Sequence, residues 1–269
     1  MPDPMRLLLA VRHARRMPEV YRAMTSLAEW RAIAASYLGA AKPALPATVH
    51  LRNGMSFTLE EFYDIETLWQ VWFRRVYRVR DSDRAIVDAG ANIGLFSAYA
   101  AAQAPESRVW AIEPFPATFQ RLELAVRRNG LAGRVECSCL ALAREKGERG
   151  MSPSGTASEL NYLLPAGGAA EGTVPVPALT LADFLDGNNL DRVDLLKMDI
   201  EGSEYEVLGA ASRDTLRRIG RLDLEYHAPR GPAGSRQTLV DLLSDAGFHL
   251  VRDTGRNSPY GIAYFDRAG

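Results

Sequence analysis

Two glycines and an aspartate, spaced as in a nucleotide-binding turn, are the residues of this chain whose chemistry is easiest to assign. Residues 87–97 have the sequence VDAGANIGLFS, in which Asp88 precedes Gly90, Asn92 and Gly94. An apolar run comes before the turn and an apolar helical pattern follows it, which predicts a buried strand, a tight turn and a helix. Glycine permits positive φ angles and the close approach of a ligand, and the first amides of a helix are unpaired donors. The turn therefore predicts a site for a nucleotide-like cofactor.

The composition of the turn distinguishes between two such cofactors. A dinucleotide-binding turn has the pattern G-x-G-x-x-G, which from Gly90 requires glycines at positions 92 and 95. Asn92 and Leu95 stand there instead. An acidic residue such as Asp88 also suits a ligand with an ammonium group better than a pyrophosphate. S-adenosylmethionine has a cationic methionine end, so the turn favours this cofactor, with a purely structural strand–helix bend as the alternative.

The strand predicted after this turn ends in a second acidic residue. Residues 107–116, SRVWAIEPFP, form an apolar strand pattern that reaches Glu113. In doubly wound folds an acid at the end of the second strand binds the ribose hydroxyls of the cofactor. The alternative is that Glu113 caps a helix beginning near Thr118. Its spacing from the turn favours ribose binding.

A second group of polar residues follows two later strand patterns. Asp199, Glu201 and Glu204 lie in MDIEGSE, and Glu225 and His227 lie in LEYH. Ligands of doubly wound folds bind at the carboxyl ends of the strands, so these side chains are candidates for acid–base chemistry. An unperturbed histidine has a pKa near ~6.5, which suits a general base, so we predict His227 as the base with help from Asp199 or Glu201. Stabilisation of a helix N-terminus explains Glu204 without catalysis.

Strand and helix patterns alternate between residues 84 and 227, which predicts an α/β fold with a mostly parallel sheet. The helix pattern SRQTLVDLLSDAGF then precedes two strands with a short connection, which must be antiparallel. The predicted strands are AIVDAG, RVWAIEP, VECSCLAL, VDLLKMD, RLDLEYH, FHLVRDT and YGIAYFD.

The N-terminal part has a different organisation. Helical spacing over residues 5–38 predicts two helices broken near Pro18, and the alternating segment TVHLRNGMSFTL predicts a hairpin around Asn53–Gly54. The aromatic-rich helix pattern that follows is interpreted as core. We divide the chain into a helical extension, 1–45, and a domain of residues 46–269 that carries the hairpin. The small-residue segment 151–177 is either a surface excursion or a substrate lid.

Composition narrows the possible partners. Hydrophobic residues make up 47% of the chain and charged residues 24%, as in ordinary globular proteins, and the net charge of −1 gives no sign of a nucleic-acid or membrane partner. No apolar stretch reaches the ~20 residues needed to cross a bilayer. The two cysteines, 137 and 139, would point to opposite faces of a strand and make a poor disulfide. We expect a cytoplasmic protein that acts on a small molecule, with homo-oligomerisation left open.

Four blocks of the chain together closely resemble the FkbM family of S-adenosylmethionine-dependent methyltransferases: VDAGANIGLFS, AIEPFP, TLADFL and LLKMDIEGSEYEVL. The resemblance spans about residues 48–265 and includes the hairpin. It implies the class I methyltransferase architecture, a Rossmann-like seven-stranded sheet that is mostly parallel with an antiparallel C-terminal hairpin. It also implies S-adenosylmethionine as donor and O-methylation of a sugar or another natural-product intermediate.

The resemblance also implies roles for individual residues. Asp88, Gly90, Asn92 and Gly94 correspond to the cofactor turn, and Glu113 corresponds to the ribose ligand. The adenine is expected at the end of the third strand, beside Ala141 and Leu142.

The sequence leaves three alternatives open. The acceptor atom could be the nitrogen of an amine, and the chain could be a cofactor-binding module without turnover. Asp199, Glu225 and His227 could also bind a divalent cation such as Mg²⁺. However, LEYH stands where metal-dependent catechol-type methyltransferases have an Asp-Asp/Asn pair, so metal independence is favoured.

Overall fold

The computed structural model describes residues 16–152, 162–164, 172–227, 235–255, 258 and 260–267. These residues belong to two compact units, Met1–Val76 and Tyr77–Gly269. Residues 5–15 of the helical pattern predicted over residues 5–38 and most of the segment 151–177 lie outside the described residues. The division of the chain at residue 45 stays a prediction.

The first unit combines helices with a short hairpin. Its helices are α1 (Met17–Ser26), α2 (Trp30–Tyr37) and α3 (Phe62–Leu68), which continues as a π-helical turn (Trp69–Arg74), and its strands are β1 (Ala47–His50) and β2 (Ser56–Leu59). The predicted hairpin is confirmed, with Thr48 opposite Thr58. Pro18 lies in the first turn of α1, where proline is tolerated, and the predicted break near it stays a prediction because the residues before position 16 are not described. The helical pattern after Pro18 is divided between α1, which ends at Ser26, and α2.

The aromatic residues predicted to belong to the core, Trp69, Trp72 and Phe73, are buried. The ring of Trp69 stacks on Tyr37 with centroids 4.5 Å apart and meets Phe73 edge-on at 5.2 Å. The Trp69 indole nitrogen donates a hydrogen bond to Glu19 at 2.7 Å, so the polar atom of this buried ring is satisfied.

The second unit is built on a seven-stranded sheet, as predicted. Its strands are β3 (Ala85–Ala89), β4 (Arg108–Ile112), β5 (Val135–Ser138), β10 (Leu195–Met198), β11 (Arg221–Tyr226), β12 (Phe248–Asp253) and β13 (Gly261–Arg267). The spatial order is β5-β4-β3-β10-β11-β13-β12. The five strands from β5 to β11 are parallel, and β13 runs antiparallel to both of its neighbours. The antiparallel C-terminal hairpin is therefore confirmed.

Helices accompany the strands along the second unit. They are α4 (Leu95–Gln103), α5 (Pro116–Arg128), α6 (Leu181–Gly187), α7 (Glu204–Ala210), α8 (Arg213–Arg217) and α9 (Arg236–Asp245). All four residues of β10 are buried, which is typical of a central parallel strand covered on both faces. Residues 95–101 of α4 are also all buried, so this helix lies within the core.

The third predicted strand, VECSCLAL, is wrong as a single element. β5 ends at Ser138, and Ala141–Leu142 form a separate strand, β6, in a second sheet. That sheet has the order β6-β9-β7-β8 and contains β7 (Gly147–Ser152), β8 (Tyr162–Leu163) and β9 (Val174–Leu179). An apolar pattern does not specify which strand a segment pairs with, so the sequence could not reveal this change of sheet.

The order of the main sheet locates a binding crevice. The chain proceeds from β3 outward to β5 on one side and from β10 outward to β11 on the other, so the order reverses between β3 and β10. In open α/β sheets ligands bind outside the carboxyl ends of the strands at such a switch point. Among the described residues, no helix has the length and apolar character of a bilayer span.

Candidate functional site

The turn after β3 has the backbone conformation that its sequence predicts. Gly90 and Gly94 have φ angles of 78° and 83°, and Asn92 between them has a φ of 48°. A Cβ at Gly90 would lie 1.7 Å from the carbonyl oxygen of Asp199, which follows β10. Glycine is therefore required at position 90 so that the ends of two neighbouring strands can approach each other.

The carboxylate of Asp88 contacts other side chains of the protein interior. Its side chain is fully buried, and the Ser97 hydroxyl of α4 donates a hydrogen bond to Oδ2 at 2.6 Å. The Lys197 ammonium lies 3.2 Å from Oδ1 without the alignment of a hydrogen bond. Asp88 thus links the turn to α4 and β10, and direct contact between Asp88 and a cofactor stays a prediction.

Lys197 is a site residue to which the sequence analysis gave no role. It is 3% exposed in the middle of the sheet, and its ammonium donates a hydrogen bond to the carbonyl oxygen of Gly90 at 2.6 Å. Burial alone would lower the pKa of Lys197, but the charges of Asp88 and Asp199 raise it. Lys197 is therefore a buried cation that links β10 to the turn after β3 at the switch point. The available signal was a lone lysine in the apolar strand pattern LLKM.

Glu113 lies at the end of β4, beside the turn. It is 7% exposed, and its two oxygens accept hydrogen bonds from the backbone amides of Asn92 at 3.0 Å and Phe115 at 2.9 Å. Burial raises the pKa of Glu113 to about 7, although both amides favour the charged form. Because a carboxylate oxygen has two lone pairs, each Glu113 oxygen can accept a further hydrogen bond.

Asn92 supplies an unsatisfied group at the same place. No described donor reaches its buried Oδ1 atom. Buried polar atoms are rarely left without a partner, so this acceptor suits a ligand that brings a donor into the crevice. Glu113 and Asn92 together fit a ligand that carries hydroxyl or ammonium groups.

Ala141 and Leu142 belong to the second sheet. Both are buried, Leu142 in the main hydrophobic core and Ala141 in a smaller core under β7 and β9. Ser138, the last residue of β5, contacts Glu113 directly, since its carbonyl accepts a hydrogen bond from the Glu113 amide at 3.1 Å. The contact of adenine with Ala141 and Leu142 stays a prediction.

The three predicted catalytic residues meet at the carboxyl ends of β10 and β11. The Nε2 atom of His227 lies 3.9 Å from Oδ1 of Asp199 and 3.7 Å from Oε1 of Glu201. Glu201 has a φ of 55°, an uncommon conformation for a residue with a side chain. We call Asp199, Glu201 and His227 the switch-point triad.

Glu204 organises this triad. It is fully buried at the start of α7, and its Oε1 accepts hydrogen bonds from the amides of Ile200 at 3.0 Å and Gly202 at 3.2 Å. The same oxygen lies 3.1 Å from Nδ1 of His227. Glu204 therefore fixes both the loop that carries Glu201 and the imidazole ring. Helix stabilisation accounts for only part of its role.

The expectation of an unperturbed pKa for His227 is wrong. Burial alone would lower this pKa, but the hydrogen bond to Glu204 and the charges of Asp199 and Glu201 raise it to about 10. His227 is consequently protonated at neutral pH when nothing else occupies the triad. The sequence could not reveal this, because helix α7 and the loop after β10 bring the carboxylates to His227 only in the folded chain.

A further acid, the half-buried Glu225, lies near the triad. The carboxylate of Glu225 accepts a hydrogen bond from the Tyr77 hydroxyl at 3.0 Å. Burial and the neighbouring charge of Asp199 raise the pKa of Glu225 to about 7. The site thus concentrates acidic groups around Lys197 and His227.

Comparison with known proteins associates this chain with methyltransferases. Residues 88–250 match the family model described as the methyltransferase FkbM domain. Methyltransferase sdnD of Sordaria araneosa is 29% identical over 208 residues, which are 66% of this chain and 78% of that protein. The 31-O-demethyl-FK506 methyltransferase FkbM of Streptomyces tacrolimicus is 27% identical over 240 residues, which are 77% of this chain and 90% of that protein.

A solved structure shares the fold. The crystal structure of methyltransferase FkbM from Methylobacillus flagellatus KT superposes with a TM-score of 0.50 at 19% sequence identity. The match covers 94% of this chain and 59% of that one.

Proposed function

Because this chain belongs to the FkbM methyltransferase family, we propose that it transfers a methyl group from S-adenosylmethionine to a hydroxyl of a small molecule. The proposed acceptor class is a sugar or another natural-product intermediate. The observation that carries the proposal is the pairing of Glu113 with the turn after β3, at the switch point of the sheet.

The proposed cofactor fits the groups present at this position. The ribose hydroxyls of S-adenosylmethionine would donate hydrogen bonds to the carboxylate of Glu113, which the Asn92 and Phe115 amides hold in place. The ammonium group or a hydroxyl of the cofactor would supply the donor that Oδ1 of Asn92 lacks. The bound cofactor supplies an activated methyl group on a sulfonium centre.

The switch-point triad would handle the proton of the acceptor. A hydroxyl must lose its proton as its oxygen becomes methylated, and a positioned base contributes typically ~10²–10⁴-fold to such a rate. Since His227 is itself protonated at neutral pH, the carboxylates of Asp199 and Glu201 are the proposed proton acceptors. His227 would orient these carboxylates, which revises the base role expected for it from the sequence.

Methylation of oxygen is favoured over methylation of nitrogen by this concentration of carboxylates. An amine already carries a lone pair and has less need of a base, whereas a hydroxyl benefits from one directly. The name of the relative from Streptomyces tacrolimicus, 31-O-demethyl-FK506 methyltransferase, specifies an oxygen atom of its acceptor. Both observations support an O-methyltransferase.

The proposal is tested by supplying matched acceptors with isotopically labelled S-adenosylmethionine. Mass spectrometry should find the label on hydroxylated sugars or natural products, and on the amine analogues much less. Replacing Glu201 by Gln should lower kcat roughly 100-fold while leaving cofactor affinity within about twofold. Exclusive labelling of the amines would exclude the O-methyltransferase assignment.

A further inference from the structure

The switch-point triad has the donor atoms of a metal site. One imidazole nitrogen and two carboxylate oxygens, from His227, Asp199 and Glu201, all lie within 4.8 Å of one another. Ligands at about 2.0–2.2 Å from an ion lie roughly 3–4.4 Å from each other, depending on the angle at the ion. The distances of 3.7 and 3.9 Å from Nε2 of His227 to the two carboxylates are within this range.

The surroundings of His227 have the arrangement found around metal-bound histidines. A histidine that ligates a metal usually has its other ring nitrogen hydrogen-bonded to a carboxylate or carbonyl group, which fixes the tautomer and the ring orientation. Glu204 contacts Nδ1 of His227 at 3.1 Å, on the far side of the ring from Asp199 and Glu201. With Nδ1 held in this way, Nε2 is directed at the two carboxylates.

Charge at the triad also favours a cation. The carboxylates of Asp199, Glu201 and Glu204 surround a single imidazole ring. The neighbouring cation, Lys197, lies 3.7 Å from Oδ2 of Asp199, which leaves Oδ1 on the side of His227. An ion bound by the triad would therefore contact acidic groups without displacing the lysine.

We propose that Asp199, Glu201 and His227 bind one divalent cation of the Mn²⁺ class, which in turn binds the acceptor hydroxyl. Mixed nitrogen and oxygen donors suit first-row divalent ions, whereas Mg²⁺ is usually bound by oxygen ligands. Three protein ligands leave coordination positions for water or for acceptor oxygens, and a coordinated hydroxyl is more acidic. A ligating Nε2 carries no proton, so the ion would replace the proton that His227 holds in its absence, and the oxygens of Asp199 and Glu201 that do not contact the ion would still accept the proton of the hydroxyl. The role in catalysis rests on the proposed methyl transfer, but binding of the ion does not.

The test is a titration of the metal-free full chain with Mn²⁺, followed by electron paramagnetic resonance. We expect one bound ion per chain, with nitrogen hyperfine coupling from His227 in the pulsed spectrum. Glu201→Gln and His227→Asn should each weaken binding at least about tenfold. Asp214→Asn, which removes an exposed carboxylate paired with Arg217, is the matched control and should bind Mn²⁺ as the wild type does.

Several results would overturn the proposal. They are an absence of bound Mn²⁺ in the wild-type protein, bound Mn²⁺ without nitrogen coupling, and binding of Mn²⁺ by both triad variants as tightly as by the wild type. Circular dichroism shows whether each variant is folded, and the nitrogen coupling tests the site in the wild type without any substitution. Binding of S-adenosylhomocysteine in the presence of EDTA separates the two hypotheses, because it tests the cofactor site with the ion removed.

Discussion

The carboxylate of Glu113 is buried and accepts hydrogen bonds from two backbone amides. Burial and these hydrogen bonds together determine how its charge responds to pH. Its pKa of about 7 leaves a substantial fraction of Glu113 protonated at neutral pH. Ribose hydroxyls that donate to the carboxylate would favour the charged form. Cofactor binding and deprotonation of Glu113 should therefore be coupled.

The first prediction concerns this coupling. Since binding favours the deprotonated carboxylate, the affinity for S-adenosylhomocysteine should rise with pH through the pKa of Glu113. We expect the Kd to fall roughly threefold to tenfold between pH 6 and pH 8, as measured by isothermal titration calorimetry. Glu113→Gln should bind more weakly and lose this dependence. The same pH dependence in the variant would contradict ribose binding by Glu113.

His227 gives a second prediction, for stability. Its pKa is about 10 in the folded protein, above the ~6.5 of an unfolded chain, so protonation stabilises the fold. This contribution is fully present below about pH 6.5 and is lost progressively as the pH rises to about 10.

Urea unfolding in the presence of EDTA measures this contribution. At pH 7 the free energy of unfolding of the wild type should exceed that of His227→Asn by on the order of a few kcal/mol. This difference should shrink as the pH approaches 10. His249→Asn, at an exposed position of β12, is the control. A difference between wild type and His227→Asn that stays constant with pH would contradict the ionic surroundings described for His227.

At the scale of elements, the contact between the ends of β3 and β10 determines the shape of the crevice. The third prediction is that Gly90→Ala destabilises the protein by at least about 2 kcal/mol, because it combines a strained φ with a Cβ against the Asp199 carbonyl. Thermal unfolding should shift by roughly 5 °C or more. Gly133→Ala, where a Cβ meets nothing within 4 Å, should change little. Equal Tm values for both variants would contradict the close contact.

The fourth prediction concerns the buried ion pair that joins the same two strands. Lys197→Met leaves the carboxylate of Asp88 buried without its cation, which should cost about 3–5 kcal/mol in unfolding free energy. Adding Asp88→Asn removes the unpaired charge and should recover much of this loss. If the two substitutions prove additive in urea unfolding, the pair is not coupled.

The strands of the main sheet could be predicted from the sequence, whereas the strands and side chains that they contact could be predicted only in part. Apolar runs bounded by turn residues marked the strands, and the short C-terminal connection required an antiparallel pair. The change of sheet after Ser138 was not predictable, because Ala141 and Leu142 are as apolar as a continued β5 would be. Lys197 was overlooked because its partners, Asp88 and the Gly90 carbonyl, are distant in sequence.

At the scale of the whole molecule, the second unit brings two groups of residues to the same edge of one sheet. Glu113 and the glycine turn follow β4 and β3, and the switch-point triad follows β10 and β11. Sequence motifs predicted both groups, since residues at strand ends of a doubly wound fold converge. The protonation of His227 and the organising role of Glu204 depend on distances of about 3–4 Å, which no sequence pattern specifies.

Binding of the cofactor at Glu113 is tested by calorimetric titration of the full chain with S-adenosylhomocysteine, for wild type and Glu113→Ala. We expect one site on the wild-type chain and at least about tenfold weaker binding for the variant, because the ribose hydroxyls lose their acceptor. Absence of both heat and thermal stabilisation at millimolar ligand in the wild-type protein would contradict this expectation, and so would equal affinity for both proteins.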